Sequence, residues 1–138
     1  MVGLDTSILL RWLIDESIWP DDNPGQTAAV RALLEDDTER FFANDVAVSE
    51  TMWVLEKPMK RPKQVLVEVL DRLLMTSNLT IQSREAIAAA RRSFEKYKVG
   101  LHDRLIAEMN SHAGCAWTAT FDKSASKTPG FRLLGPKG

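Results

Sequence analysis

Val2-Gly3-Leu4-Asp5-Thr6-Ser7-Ile8-Leu9-Leu10-Arg11-Trp12-Leu13 compresses a short apolar strand, an acid and a helical run into the start of the chain. The same order returns near the other end. Ala116-Trp117-Thr118-Ala119-Thr120-Phe121 reads as a strand, and Asp122 closes it. Aspartates at the carboxyl ends of buried strands of an α/β chain stand where such folds build ligand sites.

The segments between these ends alternate in kind. Gln26 to Asp36 carries Ala29, Val30, Leu33 and Leu34 at helical spacing, and Phe41-Phe42-Ala43 reads as a second strand. Asn44 or Asp45 is placed to cap a helix running to about Lys57, which Pro58 ends. A basic linker, Lys57 to Lys63, leads into an amphipathic helix over 64–75, with Val65, Val69, Leu70, Leu73 and Leu74 on one side. Leu79-Thr80-Ile81 is a third strand, Glu85 to Tyr97 a helix, and Leu101 to Ala113 a last helix stopped by Gly114. Phe131-Arg132-Leu133-Leu134 adds an edge strand. Ile18 to Gly25, with two prolines and a glycine, is a loop. The alternation predicts an α/β fold, with a central short-stranded parallel sheet flanked by helices.

Composition narrows the function classes. The chain has 138 residues, 44% hydrophobic and 27% charged, as expected of one globular domain. A net charge of −1 gives no global attraction for nucleic acid, so binding there requires a local basic patch. No apolar run approaches the ~20 residues that span a bilayer, and Asp5 interrupts the first hydrophobic stretch, unlike a signal peptide. A cytoplasmic protein is the expectation. The lone Cys115 has no partner for an internal disulfide and reads as a small core residue.

Four acids carry the chemistry: Asp5, Glu50, Asp103 and Asp122. Glu50 has Val46, Ala47, Trp53 and Val54 at helical spacing, which puts it inside an apolar stripe. A lone carboxylate there costs several kcal/mol, by order of magnitude, unless it is ion-paired, protonated or metal-bound. Taken singly, Asp5 and Asp122 serve equally as caps, and Asp103 suits the first turn of its helix through the macrodipole. Brought together they repel by about 4 kcal/mol per pair at ~4 Å and an effective dielectric near 20. Cations or protonation must then relieve the cluster. Oxygen donors without a cysteine pair or histidine cluster suit Mg²⁺ or Mn²⁺ rather than zinc. Ser7 and Thr120, with Thr6 and Thr118, are hydroxyls placed to orient these carboxylates, or to cap helices and favour strands. His102 reads as solvated. Arg11, Arg104 and the linker cations lie beside the acids, where a phosphodiester backbone would be positioned.

These residues resemble the PIN-domain ribonucleases, and among them the VapC-type toxins of bacterial toxin–antitoxin pairs. The resemblance rests on Val2-Gly3-Leu4-Asp5-Thr6-Ser7, Val48-Ser49-Glu50-Thr51, His102-Asp103-Arg104-Leu105 and Thr120-Phe121-Asp122, in the family's order. It implies one PIN domain over 1–138 that hydrolyses RNA with Mg²⁺ or Mn²⁺ held by Asp5, Glu50, Asp103 and Asp122. It implies Ser7 and Thr120 as their supports, a homodimer, and a cognate VapB-like antitoxin. Arg11 is a candidate contact for phosphate or an antitoxin carboxylate. Many relatives carry another aspartate where this chain has Gly100, which bears on a second metal ion; Glu108 points away from that place. The competing readings are a non-catalytic PIN-like scaffold that binds RNA or a partner without turnover, which Gly100 favours, and a regulatory Mg²⁺-binding module similar to response-regulator receivers. Those pair two acids after the first strand, whereas Asp5 stands alone.

Overall fold

A computed structural model describes residues 1–14 and 25–135. The loop expected from Ile18 lies outside the described residues as far as Pro24. β1 (Val2–Gly3), β2 (Phe41–Ala43) and β3 (Leu79–Ile81) form a parallel sheet in that order. Val2 pairs with Phe41, and Phe41 with Leu79. Parallel neighbours need long crossovers. α1 (Thr6–Leu13) and α2 (Gln26–Leu34) lie between β1 and β2, and α3 (Asp45–Glu56) and α4 (Lys63–Met75) between β2 and β3. α5 (Arg84–Lys96) packs on α4 and on α6 (Leu101–His112), and α3 packs on α1 and α6.

Local chemistry starts and stops these helices where the residues demand it. Asp5 caps α1 by accepting from the Ile8 amide at 3.1 Å, and Asn44 caps α3 through the Ala47 amide at 2.8 Å. Gly114, at φ 102°, follows α6 in the left-handed conformation that glycine tolerates. The core gathers Leu9, Phe41, Val48, Met52, Leu55, Leu70, Leu73, Ile87 and Leu105 from β2, α1 and the helices α3 to α6. On α4 the buried set is Leu66, Val69, Leu70 and Leu73, with the expected Val65 and Leu74 half-buried against the core. No described helix is long and apolar enough to cross a membrane.

The carboxyl-terminal segment departs from the single sheet expected. β4 (Thr118–Thr120) and β5 (Phe131–Leu133), joined through the short α7 (Lys123–Ser126), form a separate two-stranded parallel sheet. β4 is not the buried strand its sequence suggests. Ala119 is exposed, Trp117 is 40% exposed and Phe121 81% exposed. Cys115 is likewise exposed rather than core. Arg132 lies over the Trp117 ring, 4.9 Å from its centroid, while Phe121 is left to solvent.

What holds this unit is Arg104, a residue expected to face solvent and RNA. It is 1% exposed. Its guanidinium donates to Ser93 Oγ at 2.9 Å, Thr128 Oγ1 at 2.9 Å, the Pro129 carbonyl at 2.8 Å and Glu108 Oε1 at 3.1 Å. It also lies over the Phe131 ring, 5.9 Å from its centroid. Burial is tolerable because so many donors are satisfied.

Candidate metal centre and family

Asp5 stands just past β1 with its carboxylate in solvent. Its Oδ1 accepts from Ser7 Oγ at 2.7 Å and from the Ile8 amide. The Ser7 hydroxyl, followed by the Ile8 amide, holds the Asp5 carboxyl below the usual carboxylate range, so it is an anion at neutral pH. Asp122 mirrors this arrangement at the head of α7. Its Oδ1 accepts from the Ser124 amide at 2.8 Å and the Ala125 amide at 3.2 Å. Thr120 Oγ1 accepts from the Asp122 amide at 3.0 Å and sets the turn. In both aspartates the capping bonds fall on one oxygen and leave Oδ2 out of them.

Glu50 differs from its expectation. It lies exposed on α3, between Val46 at 74% exposure and Trp53 at 44%. The face α3 buries runs through Ala47, Val48, Thr51, Met52 and Leu55. Apolar neighbours at helical spacing therefore mark a solvent-side stripe, and Trp53 is not core.

Asp103 sits half-buried in the first turn of α6. Glu56 was not among the expected acids, yet its carboxylate accepts from the Leu101 amide at 2.7 Å and the His102 amide at 3.3 Å. Glu56 thus supplies the cap that Gly100 cannot. A Cβ at position 100 would lie 3.6 Å from Glu56 Oε2 and 3.8 Å from Asp103 Oδ2. Position 100 is thus already bordered by two carboxylates. Only the helical run ending at Glu56 hinted at this. Glu108, paired with Arg104, is committed elsewhere.

In kind, these hard oxygen donors fit Mg²⁺ or Mn²⁺. Among the described residues no group of three or more His, Cys, Asp or Glu side chains is close enough to hold a metal ion.

The PIN domain family model matches residues 2–130, nearly the whole chain and every element carrying a candidate acid. The chain belongs to the PIN domain family. The PIN domain is a metal-dependent nuclease fold, and its parallel strands and flanking helices are those described above. No curated protein matches the chain.

Proposed function

We propose that this PIN domain is an endoribonuclease, the toxin of a VapBC-type toxin–antitoxin pair, acting with Mg²⁺ or Mn²⁺. The observation that carries the reading is the paired design of Asp5 and Asp122. Each follows a strand, each commits Oδ1 to a cap, and each lies in a segment resembling the toxins. Asp5, Glu50, Asp103 and Asp122 are the ligands we assign, direct or through water. A bound divalent ion lowers the pKa of its water and stabilises charge developing on a phosphate.

The chain's own residues prepare that site. Ser7 fixes one oxygen of Asp5 and keeps it anionic, and Thr120 fixes the turn bearing Asp122. Beside Asp5, a groove of about 300 Å³ between α1 and α2 is lined by Ser7, Ile8, Leu10, Arg11 and Val30. Its apolar floor and its arginine suit a segment of the antitoxin bearing a carboxylate. A homodimer in the cytoplasm completes the proposal.

Asp5→Asn tests it. Asparagine caps helices as well as aspartate, so the fold stays intact. RNA cleavage falls by more than the ~10–100-fold typical of losing a residue that only supports a ligand. Growth arrest on expression disappears with it. Cleavage unchanged in Asp5→Asn refutes the metal centre. Acetyl-phosphate labelling in Mg²⁺ would instead favour the receiver-like reading.

A further inference from the structure

One face at β4 and β5 is aromatic, basic and bare. Alternate residues of a strand share a face. Along β4 that face carries Trp117, Ala119 and, just past the strand, Phe121; all three are exposed, Phe121 at 81%. Arg132 pairs with Ala119 in register and stands on the same face, its guanidinium over the Trp117 ring. Thr118 and Thr120 take the other face. Thr118 Oγ1 accepts from Asn110 Nδ2 at 3.0 Å, and Thr120 Oγ1 sets the turn at Asp122, which holds the aromatic residues outward. Burial of an aromatic ring is among the largest stabilising contributions a core receives, and the fold forgoes it at position 121.

Charge separates this segment from the rest of the chain. Residues 113–135 hold Lys123, Lys127 and Arg132 against the single acid Asp122, in a chain of net charge −1. The three cations are exposed, and none forms an ion pair among the described residues. This is the local basic patch that nucleic acid requires of a chain without global attraction for it. Rings interleaved with cations suit an unpaired strand, whose bases stack on the rings while its phosphates lie along the cations.

The geometry points to this face as the seat of the RNA strand, with Phe121 stacking the base beside the phosphate that reaches Asp122. The two residues are consecutive, about 3.8 Å apart along the chain. The bonds from the Ser124 and Ala125 amides to Asp122 Oδ1 fix the turn, so a base on Phe121 sets where the backbone passes the carboxylate. Trp117 and Arg132, roughly 13 Å back along the strand, receive another base. Phe121 thereby selects the base, because preference on such platforms follows stacking strength and the larger purine ring stacks better. The cleavage rests on the proposed function; the stacking rests on the exposed face.

Binding and cleavage are therefore read separately. Fluorescence anisotropy of labelled polyadenylate and polyuridylate with the full chain in EDTA should show tighter binding of polyadenylate. Phe121→Leu keeps an apolar side chain without a π face. It should weaken polyadenylate binding about 5- to 150-fold and erase the preference, whereas Phe121→Trp keeps both. Lys127→Ala should instead weaken both strands alike and reduce the slope of log affinity against log salt by about 0.7. Equal polyadenylate binding by wild type and Phe121→Leu overturns the proposal. So does a Phe121→Leu chain that elutes as a smaller species than wild type, which assigns the face to a second copy. A wild type with the adenylate preference that cuts no RNA in Mg²⁺ upholds the face and refutes the nuclease reading. Cleavage in Mg²⁺ with binding unaltered in Phe121→Leu does the reverse.

Discussion

Arg104 and Asp5 show two opposite uses of a charge. Arg104 is surrounded by acceptors, and its removal leaves Thr128, Pro129 and Glu108 with unmet bonds in a closed space. Arg104→Ala is expected to cost about 2–4 kcal/mol, read as a lower urea midpoint. Residues 113–117, which link α6 to the unit it pins, should become protease-sensitive. Asp5 is solvated and held below the usual carboxylate range by Ser7 and Ile8. Asp36 is held low in the same way by the Thr38 hydroxyl and amide. Because both carboxyls are depressed in the folded chain, their contribution is present above the unfolded value near 3.9 and is lost as pH falls through the folded values. The urea midpoint should therefore be insensitive to these two groups above about pH 5 and drop below about pH 4. Asp36→Ala, followed by titration of the unfolding midpoint, should flatten part of that drop.

At the scale of the element, α6 is the pivot of the molecule. Leu101 and Leu105 enter the main core, while Arg104 and Ala107 hold the β4–α7–β5 unit. Its first turn has no side-chain cap of its own, since residue 100 is glycine. Glu56 reaches over from α3 to satisfy two amides, and a carboxylate there also suits the helix dipole. Glu56→Ala should cost about 1–2 kcal/mol by urea unfolding, and Glu56→Gln roughly half, because one acceptor remains. The same loss would loosen the helix that carries Asp103, so any RNA cleavage should fall along with stability.

Over the whole molecule, metal dependence is the broadest prediction. Chelation by EDTA should abolish RNA cleavage, and Mg²⁺ or Mn²⁺ should restore it where Zn²⁺ does not, since the assigned ligands are all oxygens. Ion binding should also raise the melting temperature, because a ligand that binds only the folded state stabilises it by mass action. Asp122→Asn should remove that shift.

Local chemistry determined the order of elements. Apolar periodicity, Asp5 and Asn44 as caps, Pro58 and Gly114 as stops lie within a few residues of what they control, so their effects can be read along the chain. The family resemblance, over the segments holding all four acids, was legible for the same reason, and the PIN match over 2–130 agrees with it. Exposure and pairing across distance were not legible. Val46 and Trp53 look like core, and solvent faces them; Arg104 looks like surface, and it is buried. The strand at β4 was visible in its residues, but its separation from β1 depends on what α6 holds. Burial and strand pairing are set by which distant surfaces meet, and that is decided only when the elements pack.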